Sequence, residues 1–168
     1  AFAAALPTRH AMAAEVGVDE ASKTITIGGF TPITGPVPFY AILTHAAESY
    51  FRHVNENGGI RGWKVKYVTL DDGYDPARSV AVTKRMVEED KIFALSASVG
   101  TATNVAVIPY AKEVGLPILG PIGGASAFFS ELNIFPLLPD YGWSAASNAD
   151  YALKDLKLGK IALLWEND

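Results

Sequence analysis

Between Thr24 and Leu138 the chain alternates short β-branched runs with longer stretches whose apolar residues recur every three or four positions. The first run, Thr24–Phe30, reads as a strand closed by Gly28 and Gly29. From Phe39 to Asn57, residues Phe39, Leu43, Ala47, Tyr50 and Val54 share one side of a helix, predicting an amphipathic helix with that face buried. Gly58 and Gly59 follow, where a left-handed C-terminal cap is expected. Lys64–Leu70 alternates again and predicts a strand. Asp75-Pro76 marks a helix start, since the carboxylate can accept first-turn N–H groups and proline fits the first helical position. That helix is predicted to run to about Asp90. Ile92–Ser96 follows as a strand, Thr103–Val114 as a helix and Leu116–Leu119 as a fourth strand. Residues 122–132 read as a loop or short helix, Ile134–Leu138 as a weak strand, Ser144–Leu156 as a last helix and Lys160–Trp165 as a last strand.

Strands alternating with helices at this rhythm imply an α/β fold, a Rossmann-like parallel sheet flanked by helices and joined by right-handed crossovers. The final run, Ile161–Trp165, is so apolar that it belongs inside a sheet, buried on both faces. Its partners would come from sequence beyond Asp168, so the chain reads as an N-terminal fragment. At the other end, Ala11-Met12-Ala13 has the small-x-small form that precedes signal cleavage. Residues 1–13 read as the worn end of an export signal and 14–23 as a flexible lead; the alternative is an Ala-rich tail without a role.

Composition narrows the partners. The 168 residues carry a net charge of −4 and no Lys/Arg cluster, which argues against nucleic acid or an anionic membrane surface. No apolar run reaches the roughly 18 residues of a bilayer span. The absence of cysteine removes disulfides, thiolate metal sites and a cysteine nucleophile, and counts against a lipid-anchored secreted form. The expected target is a small molecule.

In an open parallel sheet, ligands bind beyond the carboxyl ends of strands. Four turns qualify here: 31–38, 71–75, 98–103 and 120–126. The last two, around Gly100-Thr101 and Ile122-Gly123-Gly124, are uncharged and small, so backbone N–H groups can approach a ligand closely. A helix N-terminus carries about half a positive charge and favours a carboxylate without any lysine or arginine. The competing reading makes them ordinary βα turns. Enzymatic signatures are missing: there is no phosphate-binding loop, no Gly-x-Gly-x-x-Gly and no Gly-x-Ser-x-Gly elbow. Asp71 and Asp72 could serve a metal or acid/base chemistry, or simply form a solvated turn. His45 and His53 have no metal-pair spacing, and His10 sits in the tail; all three read as structural. Trp63 reads as an edge aromatic packing its turn, with ligand stacking as the alternative. No cofactor and no metal are implied.

Three motifs then fall in order: Thr34-Gly35-Pro36 before an aromatic-led helix, Asn57-Gly58-Gly59-Ile60-Arg61-Gly62, and Asp71-Asp72-Gly73-Tyr74-Asp75-Pro76. Gly100-Thr101, Pro109-Tyr110, Gly115-Leu116-Pro117 and Gly123-Gly124-Ala125 continue the series. The stretch from Ile25 to Asp168 resembles the periplasmic solute-binding proteins of ABC importers, in the leucine/isoleucine/valine-binding (type I) family. The resemblance implies two Rossmann-like lobes on a hinge, with 24–140 as an incomplete first lobe and 141–168 as the first helix and strand of the second. It implies ligand-binding roles for Tyr40, Gly100, Thr101, Thr103, Ile122, Gly123 and Gly124. The expected function is the substrate-binding component of an importer, periplasmic and non-catalytic. Its expected ligand is a branched-chain amino acid or another small carboxylate, held in an interlobe cleft, and its partner is a membrane permease. Where the family often has a serine or threonine in the last two turns, this chain has Gly123 and Gly124, and the acid that commonly pairs an amino group belongs to the second lobe. An aromatic or aliphatic carboxylate therefore stands beside an amino acid. A ligand-sensing domain of a receptor or regulator is the alternative function, and an enzyme using Asp71 and Asp72 a third.

Overall fold

The computed structural model describes residues 16–164, so the Ala-rich opening, His10 and Trp165 lie outside the described residues. A two-residue strand β1 (Val18–Asp19) pairs antiparallel with the start of β2 (Thr24–Thr31). The expected flexible lead is corrected there. The intervening turn is stapled by Asp19, whose carboxylate accepts the Ala21 N–H at 2.9 Å and the Ser22 hydroxyl at 2.6 Å. β2 does not stop at Gly28-Gly29 but runs on to Thr31.

Four further strands, β3 (Lys64–Asp71), β4 (Ala94–Ser96), β5 (Ile118–Leu119) and β6 (Ile134–Phe135), lie parallel to β2 in the order β3-β2-β4-β5-β6. The last three are shorter than their apolar runs. Pro117 cannot donate to a ladder at the head of β5, Pro136 ends β6, and the Ile92 N–H is taken by the Met86 carbonyl at 3.2 Å.

The helices are α1 (Ala41–Glu56), α2 (Pro76–Glu88), α3 (Thr101–Val114) and α4 (Tyr141–Asp150). A 3₁₀ turn at Pro38–Tyr40 leads into α1 and a π turn at Tyr151–Asp155 extends α4. Asp75 caps α2 as expected, accepting the Arg78 N–H at 2.9 Å. α4 starts before Ser144, because the Asp140 carboxylate accepts the Gly142 and Trp143 N–H groups at 2.6 and 3.3 Å. Residues 160–164 form no strand, correcting that expectation: Ile161 and Leu164 are exposed and have no neighbouring strand to pair with among the described residues.

One face of the sheet carries α1, whose Phe51 packs with Ile25, Ile27, Val65, Tyr67 and Ala94. The other carries α2 and α3 over the larger core of Phe30, Met86, Leu95, Val107, Ile118 and Phe128. Each such side chain, once fully buried, stabilises by about 1.5–3 kcal/mol. The face expected to be buried on α1 is corrected in part: Phe39, Leu43 and Tyr50 point outward and Ala47 and Val54 are half-buried, while Ala41 and Thr44 are buried with Phe51 half-buried. Small residues at 41 and 44 let the helix approach the sheet, so the narrower stripe wins. Asn55 from α1 occupies the outer edge of β3, accepting the Val65 N–H at 2.9 Å and donating to its carbonyl at 2.7 Å.

Candidate functional site

Chain order reverses at β2. Its one neighbour, β3, is reached through α1 on the first face; the other, β4, is reached through α2 on the second. Crossovers that leave in opposite directions open a crevice at the carboxyl ends of the strands, the place where open α/β sheets hold ligands. A cavity of about 660 Å³ occupies it.

Tyr40, Gly100, Thr101 and Ile122 line this cavity together, with Tyr74, Leu138 and Tyr141 completing an aromatic and apolar wall. Thr103 stands behind the surface: it is buried and its hydroxyl donates to the Val99 carbonyl at 2.7 Å. Gly123 and Gly124 are also buried, immediately beneath that wall. A Cβ on Gly123 would lie 2.9 Å from Thr101 Oγ1 and 3.0 Å from its Cα, and a Cβ on Gly124 would collide with the Tyr141 ring. Their small size thus lets the start of α4 and the N-terminus of α3 close onto the 122–124 turn. Gly124 with Thr101 and Tyr141 lines an adjoining groove of about 440 Å³.

Backbone donors gather at this junction. The Gly100 N–H is paired with the Ile122 carbonyl at 2.9 Å and the Ile122 N–H with the Ser98 carbonyl at 2.8 Å. By contrast, the N–H groups of Thr101, Ala102, Gly123 and Gly124 have no acceptor among the described residues. Thr101 and Ala102 open α3, where a helix leaves its first N–H groups without an intrahelical partner, and the buried Gly123 and Gly124 add two more beside them, so the junction offers a cluster of donors to an acceptor from outside. Ser98 and Asn104 hold the turn, Asn104 Nδ2 donating to the Gly100 carbonyl at 2.6 Å and to the Ser98 carbonyl at 3.1 Å.

Just before Tyr74 of the cavity wall stands an aspartate pair. Asp71 Oδ1 accepts the N–H groups of Ile33, Thr34 and Gly73 at 2.9, 3.1 and 3.0 Å, and Oδ2 accepts the Thr34 hydroxyl at 2.6 Å and Arg78 at 3.0 Å. Burial pushes its carboxyl up, but the bonds from Thr34, Gly73 and Arg78 outweigh this and hold it well below the usual carboxylate range. Asp72 is fully buried, accepting the Tyr74 N–H at 3.1 Å and the Ser79 hydroxyl at 2.8 Å. There burial dominates, and with help from the Asp71 charge it raises the carboxyl above its ordinary value.

Neither histidine of the described residues approaches the crevice's lining, and no group of three or more His, Cys, Asp or Glu side chains is placed to hold a metal among those residues. Trp63 sits at the far end of the sheet, in an antiparallel bridge with Ile60 at the start of β3. No helix among the described residues is long and apolar enough to cross a membrane. Reading the sequence alone missed Tyr74, Tyr141 and the part played by Asp71. A visible signal existed for Tyr141, since Pro139-Asp140 is a helix start; none existed for Tyr74 beyond its place after Asp-Asp-Gly.

The family profile described as Periplasmic binding protein matches residues 24–168. A Leu/Ile/Val-binding protein homolog of Brucella melitensis is 30% identical over 158 residues, covering 92% of this chain and 43% of its own length. Among solved structures, a possible leucine/isoleucine/valine-binding protein of Rhodopirellula baltica superposes with a TM-score of 0.74 at 25% identity, covering 86% of this chain and 38% of that one. A fatty acid ABC transporter substrate-binding protein of Thermomonospora curvata gives a TM-score of 0.74 at 26% identity, covering 86% and 36%. The chain therefore spans about two fifths of the length of these relatives.

Proposed function

Since the chain belongs to the periplasmic binding protein family, we propose that it is the ligand-gripping part of an extracytoplasmic substrate-binding component of an ABC importer. Its ligand is a small amino acid or related carboxylate. The carboxylate sits where α3 meets the 122–124 turn, and the body of the ligand lies against Tyr40, Tyr74 and Tyr141. In this reading residues 24–140 form the first lobe and 141–168 begin the second, which closes over the ligand and presents the complex to a permease.

The carrying observation is the set of unpaired N–H groups at Thr101, Ala102, Gly123 and Gly124 beside an uncharged aromatic wall. They provide hydrogen bonds and the positive end of α3 without a cationic side chain. A binding role, rather than a bond-breaking one, also fits Asp71, because five donors fill a carboxylate with about four lone-pair sites. Solute-binding relatives support the same direction, one named for branched-chain amino acids and one for fatty acids.

Calorimetric titration of the full chain with L-leucine, benzoate and octanoate tests this. Hydrogen bonds to a charged group contribute about 1.5–3 kcal/mol each, so covering two amides costs a hundredfold or more in affinity. Gly123→Val places its side chain over the Thr101 amide and is expected to abolish measurable binding of whichever acid binds. Unchanged affinity in that variant would remove the grip from this position.

A further inference from the structure

We propose that Asp71 is a positioning residue for the crevice: its carboxylate clasps two separate turns and so sets the spacing between the walls carrying Tyr40 and Tyr74. The inference rests on reading the crevice as the ligand site. Register places Asp71 beside Thr31, so the carboxyl ends of β3 and β2 finish level. From there one carboxylate holds Ile33 and Thr34 on the β2 side and Gly73 on the β3 side, with Arg78 of α2 closing the ring.

The two turns it joins are in contact. Gly35 has φ +94°, and a Cβ there would collide with the Gly73 carbonyl oxygen. Downstream of Thr34, Pro36 and Pro38 stiffen the short link, and the Tyr40 N–H is bonded to the Val37 carbonyl at 3.1 Å. Displacement of the Thr34 turn is thus transmitted to Tyr40. Downstream of Gly73, Tyr74 has φ +61°, a conformation that non-glycine residues keep only where their surroundings impose it. What imposes it is the Asp72 carboxylate on its N–H and the seat of its ring against Gly100, where a Cβ would lie 2.7 Å from Tyr74 Cε2. Asp71 is therefore linked through Tyr74 to the N-terminus of α3. With its lone pairs occupied, it has no capacity left for ligand or metal, and it acts only through these turns.

The test uses the full chain labelled with 3-fluorotyrosine, its signals assigned by Tyr40→Phe and Tyr74→Phe, in wild type, Asp71→Asn and the control Asn55→Ala. The control loses hydrogen bonds at the opposite end of the sheet. In Asp71→Asn both the Tyr40 and Tyr74 fluorine resonances move and the Ile33 and Thr34 amides exchange at least tenfold faster; in Asn55→Ala neither resonance moves. If Asp71→Asn melts earlier while both resonances stay in place, Asp71 serves stability alone and the proposal falls. If Asp71→Asn fails to fold, Thr34→Val, which removes only one of the five bonds, must move Tyr40; a static resonance there overturns it equally. These readouts need no ligand, so absence of leucine, benzoate and octanoate binding in the wild type would count against the ligand-site reading separately.

Discussion

Substituting Gly100 by alanine attacks the junction of β4 and α3 at its least tolerant point. Gly100 has φ +108° and ψ 145°, backbone space in which a Cβ is strained by about 1–3 kcal/mol. The new methyl would also collide with Thr103 Oγ1 and lie 2.7 Å from Tyr74 Cε2. Overpacking of that kind costs about 1–3 kcal/mol. Swinging Thr103 away gives no relief, since its hydroxyl would lose the 2.7 Å bond to the Val99 carbonyl and remain buried. An unsatisfied buried hydroxyl costs about 1–3 kcal/mol. The expected loss in urea unfolding is about 2–6 kcal/mol, the sum of strain and crowding. Gly115→Ala is the internal reference: φ is +70°, but no atom lies within 4 Å, leaving only left-handed strain. That strain amounts to about 1–2 kcal/mol. Equal losses in the two variants would refute the packing assigned to Gly100.

Asp71 and Asp72 should respond oppositely to removal of charge. Asp72 has a carboxyl raised by burial, so its ionisation penalises the folded state at neutral pH and the penalty is relieved as pH falls through the raised value. Asp72→Asn is therefore expected to be as stable as wild type or more so at pH 7, the difference shrinking toward acid. Asp71 is lowered, so it contributes stability that is full above the ordinary carboxylate value of about 3.9 and is lost as pH falls toward its depressed one. Asp71→Asn should cost about 1.5–3 kcal/mol at pH 7 and progressively less below pH 4. Thermal melts at pH 7, 5 and 3 check both, and matching profiles would contradict the assignment. Asn55→Ala leaves Val65 to water at the sheet edge and should cost about 1–2 kcal/mol by urea unfolding; no loss would mean that water replaces the amide fully.

The alternation of β-branched runs and helical periods was enough to read the α/β class, because the buried run of β2, the alternating pattern of β3 and the capped helical period of α2 each leave a strong mark. Where two apolar stripes compete, as on α1, periodicity could not choose; the choice falls to the sheet, which admits Ala41 and Thr44 more closely than Leu43. Strand ends were misread wherever proline or a helix-end carbonyl took over a backbone position, as at Pro117 and Ile92. Around the crevice, glycine-rich turns could be seen, and Tyr40, Gly100, Thr101 and Ile122 do share one cavity. Tyr74 stayed invisible because its place depends on a left-handed backbone held by the Asp72 carboxylate and on the seat of its ring against Gly100, which is distant in sequence.

The side-chain amide of Asn55 stands where another strand would have to dock. Open ladders invite edge-to-edge growth of sheets between molecules, and here the first rung is already filled while Lys64 and Lys66 put cationic charge next to it. Two copies meeting at this border repel before they can pair, so concentrated protein has little means of seeding a continuous intermolecular sheet along β3.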